Sequence, residues 1–155
     1  MANRLRVFLD TSVLFAAVLS AEGGSRLVLK LGEAGAISLW VGSRVLQEVD
    51  GVVLRKAPQT RPLLALLLDR AGVMTGPEPD AAALARARAV VSYAPDAHVL
   101  AEALSAKVDY FVTLDRQHFV DNPRAETLPF PVGTSGDFLA WLRERLRPGE
   151  EGTND

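Results

Sequence analysis

The chain has 155 residues, 48% hydrophobic and 23% charged, with a formal net charge of −2. This length and composition predict one globular domain with a hydrophobic core, and the absence of cysteine excludes disulfides, zinc–thiolate sites and a thiol nucleophile. No apolar run reaches the ~20 residues of a membrane-spanning helix, and the N-terminus shows no signal-peptide pattern, so we expect a cytoplasmic protein without membrane contact.

The first half of the chain alternates between strand and helix patterns. Short apolar and β-branched runs indicate strands, whereas longer runs bounded by glycine, serine or proline indicate helices. In chain order, these patterns predict a strand at 6–9, helices at 12–19 and 25–33, a strand at 37–41, helices at 43–56 and 62–70, and a short strand at 73–74.

The alternation continues in the second half. Asp96 directly follows Pro95 and is predicted to cap the helix that it begins. Thr134 and Asp137 have the spacing of a capping box at the start of the last helix. In chain order, the patterns predict helices at 81–90 and 96–106, a strand at 110–113, a weak strand at 127–132 that its two prolines confine to an edge, a helix at 134–147, and a disordered polar tail at 148–155.

Strands separated by helices are typical of α/β proteins, in which helices cover both faces of a mainly parallel sheet. The patterns therefore predict a three-layer α/β/α fold with a central sheet of four to five strands, built from a single domain over residues 1–147. In such sheets, ligands bind beyond the carboxyl ends of the strands. Acidic residues at those ends are therefore candidates for a functional site.

Four acids lie near predicted strand ends. Asp10 follows the first strand, Asp115 follows the strand at 110–113, Glu48 lies in the helix after the second strand, and Asp96 begins the helix that leads into the strand at 110–113. Each has a simple structural explanation by itself: a helix cap for Asp10 and Asp96, a solvated helix position for Glu48, and a surface turn for Asp115. Their shared placement favours a common site.

Four carboxylates at one edge of a sheet would repel each other and raise each other's pKa values. A divalent cation is the natural compensation, and ligands that are all oxygen favour Mg²⁺ or Mn²⁺. Two such ions about 4 Å apart can activate a water and hold the leaving oxygen in phosphodiester cleavage. The acids therefore predict a site for one or two Mg²⁺ or Mn²⁺ ions.

Three stretches carry a family resemblance: RVFLDTSVLFAAVL at 6–19, SRVLQEV at 43–49 and DAHVLAEALSAKVDYFVTLDRQHF at 96–119. From about residue 5 to about residue 145, the chain resembles PIN-domain ribonucleases. It is most similar to the VapC-type toxin branch of bacterial and archaeal toxin–antitoxin pairs, or to close PIN relatives. The resemblance implies a PIN-like fold and a metal-dependent endoribonuclease that hydrolyses RNA phosphodiesters and acts as the toxin of such a pair.

The resemblance also implies roles for single residues. Asp10, Asp96 and Asp115 would be the core metal ligands, and Glu48 would complete the site or bind a second ion, so these four acids are the catalytic candidates. The resemblance further identifies Ser12 and Thr113 as small polar residues that orient carboxylates or water. Ser12 stands where many relatives have asparagine.

The expected partners are an RNA substrate, a cognate antitoxin and a second copy of the chain. Without the four site acids and the three acids of the tail, the remaining 12 acids face 17 lysines and arginines, which is compatible with RNA binding. The helix at 62–70 is apolar on nearly every side, which favours a homodimer interface over simple core packing. Candidate contacts to the RNA backbone are Arg44, Arg55, Lys56 and Arg116, although for any single one of them a solvated helix face is the favoured explanation.

Two other functions fit parts of the pattern. A phosphatase of the haloacid dehalogenase type also begins with an aspartate at a strand end, but it needs a second aspartate where this chain has Ser12. A non-catalytic PIN-fold module that only binds a partner is disfavoured because all four acids are present. Of the two histidines, His98 is expected at the surface or behind the site and His118 near Asp115, and neither is included among the predicted site residues.

Overall fold

The computed structural model describes residues 3–148, and the predicted disorder of the tail beyond residue 148 lies outside the described residues. One sheet of five strands forms the centre, with every neighbouring pair parallel and the order β3-β2-β1-β4-β5. The strands are β1 (Arg6–Leu9), β2 (Ser38–Val41), β3 (Met74–Thr75), β4 (Tyr110–Val112) and β5 (Val132–Gly133). The predicted parallel sheet of four to five strands is confirmed.

Seven α-helices in the described residues cover the sheet. The first four and the last pack against one another on one face, and α5 packs along α6 on the other face, which gives the predicted three-layer α/β/α arrangement. The helices are α1 (Thr11–Leu19), α2 (Gly24–Glu33), α3 (Ser43–Lys56), α4 (Arg61–Arg70), α5 (Ala81–Val90), α6 (Ala94–Ala106) and α7 (Ser135–Leu146). The extent of the domain, residues 1–147, stays a prediction.

The core is centred on β1 and its neighbour β4. Both strands are apolar without alternation, as expected for parallel strands buried on both faces. Phe8 of β1 stacks on Phe111 of β4 with ring centroids 5.5 Å apart, and Phe119 and Phe130 pack against Phe111 at 5.1 and 6.2 Å. This packing fixes the carboxyl ends of β1 and β4 side by side.

The start of α6 differs from the prediction. Tyr93, not Asp96, is the N-cap residue, and the helix begins at Ala94 with Pro95 in its first turn. Proline is favoured at this end of a helix because its missing N–H has no intrahelical partner there and its φ is already helical. Asp96 consequently lies inside the first turn, where its side chain is free to face the carboxyl edge of the sheet instead of capping.

The last strand is shorter and later than predicted. Residues Pro123–Thr127 form a short helical turn, and only Val132–Gly133 pair with β4. Pro129 and Pro131 have no N–H to donate to a neighbouring strand, although the Pro131 carbonyl accepts the N–H of Phe111 at 3.0 Å. The predicted edge position is therefore correct, and the prolines limit how much of the segment can pair.

The last helix begins with the predicted capping box. Thr134 Oγ1 accepts the N–H of Asp137 at 3.1 Å, and Asp137 Oδ2 accepts the N–H of Thr134 at 3.0 Å. These two bonds satisfy backbone donors that a helix start leaves without partners.

Among residues 3–148, no single helix is long and apolar enough to cross a membrane. The pair α1 and α2, bent by 97° at the break between them, reaches the required length and composition when taken together. Both helices bury apolar side chains in the core, among them Val13, Leu14 and Val28, so their apolar composition is explained by packing against the sheet.

Candidate active site

Asp10 is a buried carboxylate at the end of β1 that accepts three hydrogen bonds. It is the N-cap of α1, and its Oδ1 accepts the N–H of Thr11 at 2.8 Å. Its Oδ2 accepts the hydroxyls of Thr113 at 2.7 Å and Ser12 at 3.2 Å. Burial raises the pKa of Asp10, and these hydrogen bonds oppose that rise. The side chain is therefore held in one orientation at the sheet edge.

Two hydroxyls join the loop after β1 to the loop after β4. Thr113 is completely buried, donates to Asp10 and accepts the N–H of Asp115 at 3.1 Å. Ser12 donates to Asp10 and accepts the N–H of Leu114 at 3.0 Å. Each hydroxyl thus uses both its donor and an acceptor site, and the position of Asp115 is fixed relative to Asp10.

Asp96, Asp115 and His118 form the tightest group of potential ligands, with one donor atom of each within 4.8 Å of the others. His118 Nδ1 lies 2.8 Å from Asp115 Oδ2 and 3.4 Å from Asp96 Oδ2. Asp115 also accepts the N–H of His118 at 3.0 Å and caps the π-helical turn Arg116–Val120.

The charges of this group alter each other's ionisation. Partial burial raises the pKa of Asp96 to about 6, and the carboxylates of Asp115, Asp10 and Glu48 push it in the same direction, whereas His118 opposes them. The hydrogen bond to Asp115 raises the pKa of His118. Burial is thus the largest cause of the Asp96 shift, and the crowding of carboxylates adds to it.

The sequence interpretation left His118 out of the site, and the structure brings it in. The available signal was its position three residues after Asp115, because residues three apart share one face of a helical turn. His98, two residues after Asp96 in a helix, is not a member of the ligand group. Once the turn after Asp115 is known to be helical, the spacing therefore predicts that His118 lies beside its acid and that His98 does not.

Glu48 lies beside this group but is engaged elsewhere. Its Oε2 accepts the Thr11 hydroxyl at 2.9 Å, and its Oε1 pairs with Arg44 Nε at 3.0 Å. Its charge nevertheless contributes to the raised pKa values of Asp10 and Asp96, so it lies within electrostatic reach of both. The three consecutive polar residues after β1 hence have different roles. Asp10 caps α1, the Thr11 hydroxyl donates to Glu48, and Ser12 bonds to the loop after β4.

The four predicted RNA-contacting cations are spread out. Arg44 pairs with Glu48, whereas Arg116 pairs with Asp121 at 3.4 Å on the surface. Arg55 and Lys56 occupy the last turn of α3, roughly 10 Å along the helix axis from Glu48. Among the described residues, Arg44 is the one of these four that contacts a site carboxylate.

One acid that the sequence interpretation missed lies behind the site. Glu102 of α6 is only 1% exposed, and its Oε2 accepts the N–H of Arg44 at 3.0 Å, at the start of α3. Its Oε1 is buried without a hydrogen-bond partner. Burial raises the pKa of Glu102 to about 7. A Cβ at Gly42 would overlap this carboxyl group, so the glycine makes room for it.

The donor set fits a hard divalent cation. Asp96 and Asp115 offer carboxylate oxygens on one side, with Asp10 and Glu48 nearby, and Mg²⁺ and Mn²⁺ prefer such oxygen ligands. Burial is the main cause of the raised pKa values of Asp10 and Asp96, and neighbouring carboxylates add to both. A cation bound among these acids would favour their ionised forms.

Two solved structures share the fold. The VapBC2 complex of Rickettsia felis, bound to a DNA fragment from its promoter, contains a chain with 16% identity and a TM-score of 0.62, over 83% of this chain and 98% of that chain. PAE2754 from Pyrobaculum aerophilum has 17% identity and a TM-score of 0.58 over 90% of each chain. No curated protein is similar enough to this chain to count as a relative by sequence.

The family assignment comes from the sequence itself. The model of the PIN domain matches residues 6–117, the segment that runs from β1 past the end of β4 and contains Asp10, Glu48, Asp96 and Asp115. The family resemblance predicted from the sequence is thereby confirmed, and the fold agrees with it. The chain belongs to the PIN-domain family, a family of nucleases.

Proposed function

We propose that this PIN-domain protein is an endoribonuclease that depends on Mg²⁺ or Mn²⁺ and hydrolyses RNA phosphodiesters. The observation that carries the proposal is the meeting of Asp96 and Asp115, whose ligand atoms lie within 4.8 Å of each other, beside the buried Asp10 at the ends of β1 and β4. No side chain in this group needs to act as a nucleophile, because a water activated by a bound cation can attack the phosphodiester.

In this function, Asp10, Asp96 and Asp115 would hold one ion, and Glu48 would complete the site or bind a second ion. When bound, the cation activates a water and offsets negative charge that develops on the phosphodiester. Thr113 and Ser12 orient Asp10 and fix the loop that bears Asp115. His118 holds Asp115 through its ring nitrogen.

The proposed biological role is that of a toxin in a toxin–antitoxin pair. It is supported by PIN-family membership and by the shared fold with a chain of the VapBC2 complex. The role implies a cognate antitoxin protein, a cytoplasmic location and a homodimer. Leu66 of α4 remains 43% exposed, which is compatible with a dimer contact on that helix.

Cleavage of labelled RNA tests the activity. The purified protein is incubated with RNA and Mn²⁺ or Mg²⁺, with EDTA, and in parallel as the variants Asp10→Asn and Asp96→Asn. Asp50→Asn is the matched control, because Asp50 lies on α3 and pairs with Arg61 on the surface. Cleavage by the parent and the control, lost in EDTA and in both site variants, is the expected result.

Two outcomes contradict the proposal. Cleavage that survives both substitutions means that a contaminant or another site cuts the RNA. Binding of RNA without any cleavage, in a protein that binds Mn²⁺ by calorimetry, means a binding module. The toxin role is tested separately by inducing the chain in a bacterial host, where growth should stop with the parent and continue with Asp96→Asn.

A further inference from the structure

An aromatic side chain lies next to the acidic group without being part of the core. Tyr93, the N-cap residue of α6, is 58% exposed, and its ring stacks against His118 with a centroid separation of 6.2 Å and an interplanar angle of 22°. His118 in turn is hydrogen-bonded to Asp115 at 2.8 Å. The tyrosine ring is therefore one contact away from the candidate metal ligands.

The position of Tyr93 is fixed by the backbone. Its carbonyl accepts the N–H of Ala97 at 2.9 Å, which is the first hydrogen bond of α6, and Asp96 follows in the same turn. Because the ring centroid of His118 is 6.2 Å from that of Tyr93 and more than half of the Tyr93 side chain is exposed, ring surface of Tyr93 is available to a ligand. Leu114, 38% exposed and next to Asp115, adds an apolar surface beside the same group.

We propose that Tyr93 is a stacking platform for an unpaired nucleobase of the RNA substrate, next to the phosphodiester that is cleaved. This inference rests on the proposed ribonuclease function and deepens it by naming a residue that positions the substrate. Aromatic rings bind nucleic-acid bases through their faces, and a base must be unstacked from a duplex to offer its face. Tyr93 would therefore contact a base that is unpaired next to the cleavage position.

The acids and Tyr93 would contact different parts of the RNA. The acids would bind the phosphodiester through a cation, and this contact carries no base preference. Tyr93 would bind a neighbouring base and so fix the register of the strand. Stacking tolerates any base because each has a π-face. Tyr93 thus positions the substrate, and its loss should act mainly on KM.

The test combines Tyr93 variants with abasic RNA. A labelled single-stranded oligoribonucleotide that the parent cleaves is compared with versions in which each nucleotide near the cut is replaced in turn by an abasic ribose. Tyr93→Ala removes the ring and Tyr93→Phe keeps it. Leu146→Ala, which truncates a side chain that is 73% exposed on α7, is the control for loss of exposed apolar surface. Both kcat/KM and binding by fluorescence anisotropy are measured.

We expect removal of the Tyr93 ring and removal of one base to lower kcat/KM in a non-additive way. Tyr93→Ala lowers kcat/KM for the intact RNA about tenfold, mostly through KM, as expected for the loss of one base stack. One abasic position lowers kcat/KM of the parent by a similar factor and has no further effect on Tyr93→Ala. Tyr93→Phe and Leu146→Ala behave like the parent, and all variants keep the parent's unfolding midpoint.

The proposal is overturned if Tyr93→Ala cleaves and binds like the parent, or if its loss is the same on the intact and on every abasic RNA. These results leave the ribonuclease function intact, since the parent still cleaves. If the parent binds RNA without cleaving it, the proposed ribonuclease activity fails, and binding measured by anisotropy tests the platform by itself. The platform is then supported if one abasic position weakens binding by the parent but has no further effect on Tyr93→Ala.

Discussion

The hydroxyl of Thr113 donates a 2.7 Å hydrogen bond to Asp10 Oδ2 and accepts the N–H of Asp115 at 3.1 Å. A single buried side chain thereby connects the acids at the ends of two neighbouring strands. A hydroxyl can do this because it donates once and accepts at the same time. Asp10 and Asp115 are therefore positioned relative to each other before any cation binds.

Thr113→Val tests this connection, because valine keeps the shape of threonine and lacks the hydroxyl. The change leaves the Asp115 N–H and one oxygen of buried Asp10 without this partner, so we expect the free energy of unfolding to fall by about 1–3 kcal/mol. Mn²⁺ affinity should fall as well, since Asp115 loses its fixed position. Denaturant unfolding and calorimetry measure the two effects.

Thr127→Val is the matched control for this substitution. Its hydroxyl donates to the carbonyl of Arg124 at 2.7 Å on the exposed surface, where water can replace the lost bond. It should change the free energy of unfolding by less than about 0.5 kcal/mol and leave Mn²⁺ affinity unchanged. Equal effects of the two substitutions would mean that Thr113 has no special role in the site.

The pH dependence of cation binding follows from the ionisation of the acids. Burial raises the pKa of Asp96 to about 6 and also raises the pKa of Asp10. Because a ligand carboxyl must lose its proton, protons compete with the ion below about pH 6. We expect Mn²⁺ affinity to be constant near pH 8 and to fall up to about tenfold per pH unit below pH 6, per proton displaced. Calorimetry in buffers of different ionisation enthalpy counts the protons released.

Asp96→Asn provides the comparison, since it removes the group whose pKa is about 6. The variant should bind Mn²⁺ more weakly at pH 8 and show a flatter pH dependence between pH 5 and 7. A parent affinity that does not change between pH 8 and pH 5 would contradict the assignment of Asp96 as a ligand.

Glu102 should make the protein less stable at high pH. Burial raises its pKa from 4.5 to about 7, the carboxylates of Glu78 and Glu48 add to the rise, and Arg44 opposes it. The native state therefore holds a proton that the unfolded chain releases between pH 4.5 and 7, so this group's contribution to stability falls as pH rises through that window and stays low above pH 7.

Glu102→Gln removes this titration while keeping an oxygen that can accept the Arg44 N–H. In EDTA, the variant should be about as stable as the parent at pH 4.5 and more stable at pH 8, by up to about 3 kcal/mol for a shift of this size. Urea unfolding at the two pH values measures the difference. A constant difference between the variant and the parent across pH would show that Glu102 has an ordinary pKa.

The strands β1, β2 and β4 were predictable from local sequence, and so were the positions of Asp10 and Asp115 after β1 and β4. Continuous apolar runs identify β1 and β4 because both faces of these strands are buried, and an acid that ends such a run must lie at the sheet edge. Glu48 was predictable only as a neighbour of that edge, since its pairing with Thr11 and Arg44 depends on how α3 packs.

Glu102 was not predictable by the same reasoning, and His118 was predicted near Asp115 but not as part of the site. Glu102 looks like a solvated helix residue, and its burial results from the approach of α3, where Gly42 leaves space for the carboxyl group. His118 joins Asp115 because Arg116–Val120 forms a π-helical turn instead of an open loop. The positions of both side chains depend on contacts between segments that are far apart in sequence or irregular in structure. The periodicity of apolar residues gives no information about such contacts.

The last prediction distinguishes Arg44 from the other candidate RNA contacts. Arg44 pairs with Glu48 beside the acids, whereas Arg55 lies at the far end of α3. If Arg44 contacts an RNA phosphate near the cleavage position, Arg44→Gln should raise KM severalfold and reduce the slope of log K against log salt by about one. Arg61→Gln, which breaks a surface pair with Asp50, is the control and should change neither quantity. An equal effect of Arg55→Gln and Arg44→Gln would mean that the strand runs along the whole of α3, because two residues roughly 15 Å apart on that helix would then both meet phosphates.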